Sequence, residues 1–354
     1  MHGDGAIPAP PQGGDVRKTV ILALGVALLV GGCSGSDDGA SAATAVEPGS
    51  GPSTSIATTT TTSPVLSFDP VWALQTNATI VLTDAGGANT FSPTDDVGAG
   101  DQNNPDWSPD GTRLTFTIVD GRDDLWIVDA DGANAQMLAD CTNPCIYYDD
   151  PAWSPDGRSI AVCKLVEEGG YAVASLVSVD VNSGAETTLA RFAPTEFCAG
   201  PRFAPDGTSL VLEVVARNAL PMSSAIIGVA LTVLDLASSP PAELALTDPA
   251  LFAATADWDP TGELIVYSAL PAADATSNDL FTIRPDGSDP QRLTTLADAG
   301  GSAVQPSFDQ SGLSVVFVDE PVQQLKSVSL ADGAITPAFP TDVFGDHPRA
   351  RPPT

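Results

Sequence analysis

Carboxylates are the abundant reactive groups of this chain. Of 354 residues, 45 are Asp or Glu, 14 are Lys or Arg and two are His, for a net charge of −31. Paired carboxylates can do general acid–base work on glycosides, and clustered ones can draw a cation. The histidines are His2 and His347. With His2 in the leader, His347 stands alone, and it reads as an exposed residue of the C-terminal tail. A Ser-His-Asp site, a Cys-His site and a multi-histidine metal site each need a histidine beside their other members. No G-x-S-x-G elbow occurs in the C-terminal part of the chain, so a serine-hydrolase domain is not expected. Any catalysis is left to carboxylates, as in a carbohydrate-active hydrolase or lyase. The acidity also argues against nucleic acid and anionic membrane surfaces, which select basic footprints.

The acids fall into sets with different meanings. Asp110, Asp156 and Asp206 each precede a Gly and read as turn residues. Asp129-Ala130-Asp131-Gly132 resembles the start of a calcium loop, but its Gly comes early and the bidentate Glu is missing, so a hairpin turn is the better reading. Asp95, Asp96, Asp149, Asp150 and Asp257 remain, with Tyr147 and Tyr148 beside the second pair. Their alternatives are solvated loop charge and a binding site for a cationic ligand or a basic protein face. No metal or cofactor is expected.

The elements that would position these acids come from a repeat. Pro105-Asp106-Trp107-Ser108-Pro109-Asp110-Gly111 recurs as Pro151-Ala152-Trp153-Ser154-Pro155-Asp156-Gly157 and Pro201-Arg202-Phe203-Ala204-Pro205-Asp206-Gly207. Looser copies centre on Trp258 and Phe308, and the aromatics are spaced by 46, 50, 55 and 50 residues. That period matches a four-stranded propeller blade of ~40–50 residues. After each Gly comes an apolar strand, a variable loop, a third strand, an X-Gly hairpin and a short fourth strand. The motif, with the hairpin spanning residues 124–134, resembles the TolB family of β-propellers over roughly residues 68–350. The resemblance implies an all-β, six-bladed propeller of four-stranded antiparallel blades that binds another envelope protein. The resemblance does not extend to TolB's separate N-terminal domain, in whose place a lipid anchor and linker are expected.

Two strands near residues 78–83 and 89–91 match the third and fourth strands of a blade, with no motif before them. Residues 347–350 fall where a sixth inner strand would begin, so the last blade is shared between the two terminal segments and the ring closes without a free edge. The loops entering the inner strands would then gather at one channel mouth, bringing Asp95, Asp96, Asp149, Asp150 and Asp257 together, with Tyr147 and Tyr148 as anchors. In such a ring Cys163, at the end of a second strand, and Cys198, in the loop to the next inner strand, share a face and can pair. Cys141 and Cys145 can close a small loop. Zinc is the weaker alternative, because the spacing is C-x₃-C with no histidine near.

Residues 1–33 read as a lipoprotein signal peptide. Arg17 and Lys18 precede an apolar run over residues 19–30, which is too short to span a bilayer. Val30-Gly31-Gly32-Cys33 resembles a lipobox, which makes Cys33 the lipidated first residue of the mature chain, on the outer face of the cell membrane. Translation starts at Met1 or at Val16. Residues 34–66, rich in Ser, Thr, Pro and Gly, read as a linker, and residues 67–354 as the propeller, a monomer. Substituting Cys33→Ala is expected to release the protein from membranes or to block its processing. Cell fractionation reads the result, and a processed, membrane-bound variant would contradict it.

Overall fold

One turn shapes each repeat. In the first copy the Asp110 carboxylate accepts from Ser108 Oγ at 2.6 Å, Thr112 Oγ1 at 2.8 Å and the Thr112 N–H at 3.0 Å. Gly111 supplies the left-handed backbone, at φ +65°, that the turn requires. In the looser copies hydroxyl and carboxylate exchange places. Asp259 now accepts from Thr261 Oγ1 and the Leu264 N–H, and Asp309 from Ser311 Oγ and the Leu313 N–H. The turn needs one acid and one hydroxyl two residues apart, in either order. That is why it survives where the motif decays.

The computed structural model describes residues 66–76, 78–98, 100–219, 225–320, 322–339 and 343–353. The leader, Cys33 and all of the linker except Leu66 lie outside them. The described residues form six antiparallel four-stranded sheets. Blade 1 joins Asp346–Ala350 to Trp72–Thr76, Thr79–Thr83 and Thr90–Phe91. Blades 2 to 6 begin with the inner strands Asp101–Trp107, Cys145–Trp153, Glu196–Phe203, Ala254–Trp258 and Ser302–Phe308, and each continues outward in chain order. The first strands contact one another in sequence around the ring. The terminal segments therefore share a blade, with Trp72 opposite Ala350 and Ala73 opposite Arg349. The strand Trp72–Thr76 has no motif to announce it and was not expected.

Each motif aromatic is a wedge between blades. Trp107 packs on Ala73, Ile80 and Leu82 of blade 1, Trp153 on Leu125 and Ile127 of blade 2, and Trp258 on Val211, Leu231 and Val233 of blade 4. Phe308 packs on Val266 and Leu280 of blade 5. Burying one such side chain contributes about 1.5–3 kcal/mol. Blade 1 carries Ala350 at the wedge position. Its interface with blade 6 is filled by Trp72, edge-to-face with Phe339 at 6.2 Å between centroids.

Two disulfides are present. Cys141 pairs with Cys145 and Cys163 with Cys198, at Cα separations of 5.0 and 5.8 Å, within the usual ~4.4–6.8 Å. The second bond ties blade 3 to the inner strand of blade 4. Its cysteines sit differently from expectation. Cys163 lies inside the strand Ser159–Glu168, and Cys198 lies inside the inner strand itself. The inner strands start earlier than the motif indicates, because each continues upstream through a bulge.

Deleting residues 344–354 removes the inner strand of blade 1 and exposes a sheet edge. A loss of ~3 kcal/mol or more is expected, or a fall in Tm of roughly 6–12 °C. A truncated chain that melts like the parent would show that closure does not hold the ring.

Candidate binding site in the central channel

Every inner strand contains one residue in the left-handed region, three positions before the wedge. These are Asn104, Asp150, Gly200, Thr255, Gln305 and His347, with φ from 45° to 55°. Register shifts in the pairing to the second strand fall at or beside the same places. A bulge takes a residue out of the ladder and leaves its polar groups to find other partners. They find them in the neighbouring blade. Gln75 Oε1 accepts from the Asn104 N–H at 3.0 Å, Asp150 Oδ2 from Gly200 at 2.9 Å, Glu213 Oε1 from Thr255 at 2.6 Å and Gln305 Oε1 from His347 at 3.0 Å. At the two remaining interfaces the donor is the wedge residue: Asp106 Oδ2 accepts from Trp153 at 2.8 Å and Asp257 Oδ2 from Phe308 at 2.9 Å.

The residue just before each wedge faces the channel, since strand neighbours point to opposite faces. Around the ring these are Arg349, Asp106, Ala152, Arg202, Asp257 and Ser307. The two arginines stand opposite one another, as do the two aspartates. All six border or line a cavity of about 360 Å³ at the motif end of the channel, walled also by Pro109, Pro155, Pro205 and Pro260. Arg202 and Arg349 are 6% and 8% exposed. Among the described residues, their guanidiniums donate hydrogen bonds only from Nη1 to carbonyls, of Pro201 and Pro151 for Arg202 and of Pro348 for Arg349. Both Nε atoms are buried without a partner among the described residues. The charges act through space. Burial pushes the Asp106 carboxyl up, while Arg202 and Arg349 pull it down. Burial and then Arg202 lower Arg349 to about 10, so it stays charged at neutral pH.

The anticipated acids are only partly gathered here. Asp257 belongs to the ring. Asp149 and Asp150 lie deeper, inside the inner strand of blade 3 and not in a loop. Asp149 accepts from Asn104 Nδ2 at 2.9 Å, and burial followed by Asp150 and Asp123 raises its carboxyl well above the usual range. Asp95 and Asp96 are exposed in the loop before Asp101–Trp107, at the other end of the channel. Tyr147 and Tyr148 are buried in the clusters between blades 3 and 4 and blades 2 and 3, so neither ring is offered at a mouth. His347, expected as an exposed tail residue, is half-buried in the closing inner strand beside Gln305. Asp129 and Asp131 form a hairpin turn. No group of three or more potential metal ligands occurs among the described residues. Arg202, Arg349, Ser307 and Glu213 were not anticipated. Alignment of the repeats was the available signal, because it puts one variable residue before every wedge.

Glu213 is 2% exposed, and burial first of all raises its carboxyl to about 8, with Thr255 opposing the shift. Its Oε2 has no hydrogen-bond partner among the described residues. A folded pKa above the unfolded value of about 4.3 means stability present below that value and lost as pH rises toward 8. Glu213→Gln keeps the acceptor for Thr255 and removes the titration. Urea melts should show the variant gaining about 4 kcal/mol on the parent between pH 5 and pH 9. Parallel pH profiles would contradict the assignment.

No family model matches the chain, and no curated protein matches it. Solved structures match its architecture. TolB from Acinetobacter baumannii gives a TM-score of 0.60 at 16% identity, over 80% of this chain and 66% of that one. A structure assigned as TolB from Agrobacterium tumefaciens gives 0.56 at 18% identity, over 78% and 91%. An oligogalacturonate lyase in complex with manganese gives 0.50 at 16% identity, over 76% and 73%. The chain spans just under two thirds of the Acinetobacter protein. At these identities the likeness is one of fold, and the chain is a six-bladed β-propeller similar to those of TolB proteins.

Proposed function

We propose that this chain is a lipid-tethered binding module that works outside the cytoplasm and takes its ligand at the central channel. The observation behind this reading is the charged ring, in which buried guanidiniums with unmet hydrogen-bonding capacity border a cavity of about 360 Å³. Buried polar groups without partners are costly, and a ligand that satisfies them recovers that energy. Two disulfides support an oxidising compartment. The lipobox Cys33 and the linker over residues 34–66 supply the tether. The net charge of −31 favours an envelope protein with a basic face, or a cationic ligand. Asp95 and Asp96 add exposed charge at one end of the channel, and Asp149, Asp150 and Asp257 add potential within it.

A glycan-active hydrolase or lyase is the second reading. It draws on Asp106 and Asp257, which face each other across the channel, and on the fold likeness to oligogalacturonate lyase. Turnover on a glycan panel tests it.

The binding reading is tested by photo-crosslinking in the native cell, with the reactive residue at Gln310 beside the cavity or at Asp96 at the far end. Discrete adducts identified by mass spectrometry are expected from Gln310. Their absence from both positions would overturn the reading.

A further inference from the structure

We infer that the ring formed by Asp106, Arg202, Asp257 and Arg349 is a binding site for a small zwitterion, a free amino acid or dipeptide, with its carboxylate on an arginine and its ammonium on an aspartate. This rests on the channel being the binding site and adds the chemistry of the ligand.

The ring holds two positive and two negative side chains, in the order Arg349, Asp106, Ala152, Arg202, Asp257, Ser307. Each arginine is therefore followed in the ring by an aspartate, and the two Arg–Asp halves face each other across the channel. Neither guanidinium forms an ion pair among the described residues; their hydrogen bonds go to proline carbonyls through Nη1 alone. Both Nε donors remain unmatched, on side chains more than nine-tenths buried. Each aspartate uses Oδ2 to hold the next blade. Oδ1 is left for an incoming donor. Ser307 already donates to Asp257 Oδ2 at 3.0 Å, and Ala152 is too short to fill its place in the ring, which leaves room on that side.

Three ligand charges can be compared. An anion would satisfy the arginines but must approach a protein of net charge −31 and would leave the aspartates unmatched. A cation would be drawn in by the exterior and repelled by two guanidiniums. A zwitterion carries no net charge, as the ring does, and meets both signs at once. The proline walls offer rigid apolar surface with no N–H to satisfy, suited to an aliphatic or aromatic side chain. A cavity of about 360 Å³ has room for an amino acid or dipeptide.

The test is calorimetric titration of the full-length protein with free amino acids and dipeptides, and with the N-acetyl and carboxamide form of each. Free zwitterions of at least one side-chain class are expected to bind, and blocking either terminus should weaken binding by ~10-fold or more, the usual range for one charge-assisted hydrogen bond. Arg202→Gln and Arg349→Gln should weaken the free form and leave the carboxamide unaffected. Asp106→Asn and Asp257→Asn should do the converse with the N-acetyl form. A ligand-free melt of each variant separates loss of binding from loss of fold, and the blocked ligands give the answer on the unmodified protein. The idea is overturned if no free zwitterion binds at millimolar concentration, or if blocked forms bind as well as free ones. Crosslinking from Gln310 to an envelope protein, with no zwitterion bound, would sink this inference and leave the channel reading standing.

Discussion

A blade that pairs only with itself has no reason to hold a fixed angle to its neighbour. Here the angle is set by one kind of bond, repeated at each of the six interfaces. A side-chain oxygen of one blade accepts a backbone N–H of the next, close to the channel axis. Four of the six donors are the left-handed residues of the inner strands. The bulge and the latch are thus one device: the bulge frees the N–H, and the neighbour's acceptor makes the freed group useful. Five of the six left-handed residues are not glycine. That conformation is uncommon for such residues and persists where surrounding bonds over-determine it.

Latches alone would not hold a ring together, since one hydrogen bond contributes only ~1 kcal/mol net. The apolar wedges supply the larger share and the latches supply orientation. Trp107 and Trp258 add a bond of another kind. Each buries its ring against the preceding blade and donates its indole N–H to a carbonyl of that blade's inner strand, of Arg349 at 3.2 Å and of Arg202 at 3.1 Å. The same two arginines carry the guanidiniums of the channel ring. Wedge, backbone and channel charge are therefore linked within a few bonds, and the position of each ring charge follows from the packing between blades.

The exterior and the channel differ in charge character. The surface carries the acidic excess, and many of its carboxylates are occupied in turns: Asp110, Asp156 and Asp206 lie below the usual carboxylate range, the first two chiefly through bonds from Ser108 and Ser154 and the third through the Thr208 N–H. Asp106, Asp149 and Glu213 shift the other way, upward, because burial disfavours their charged forms. Acids alike in the sequence thus have opposite roles. Those in turns stabilise the fold in ionised form, and those buried beside the channel axis carry a desolvation cost.

Much of the fold was legible in the chain because the repeat is local. The turn chemistry of Asp110-Gly111, the wedge spacing and the alternating apolar runs act over a few residues, and such patterns can be read without knowing what lies opposite. Closure was legible too, since residues 347–350 fall where a sixth inner strand would begin and the strands near residues 78–83 and 89–91 lack a motif of their own. The strand Trp72–Thr76 was not legible. Its tryptophan is buried because blade 6 presses against it, and nothing local records that neighbour. The channel was hidden for the same reason. Arg202 and Arg349 are 147 residues apart in the chain, and only the ring brings them face to face. Tyr147, Tyr148, Asp149 and Asp150 looked like loop residues because an acidic, aromatic stretch before a proline has that composition. Bulged inner strands carry it into the wall, with the tyrosines against neighbouring blades. Local sequence determined the turns, most of the strands and the number of blades. The tertiary ring alone decided which polar residues lose their water and face one another, because that depends on side chains more than two fifths of the chain apart meeting across one axis.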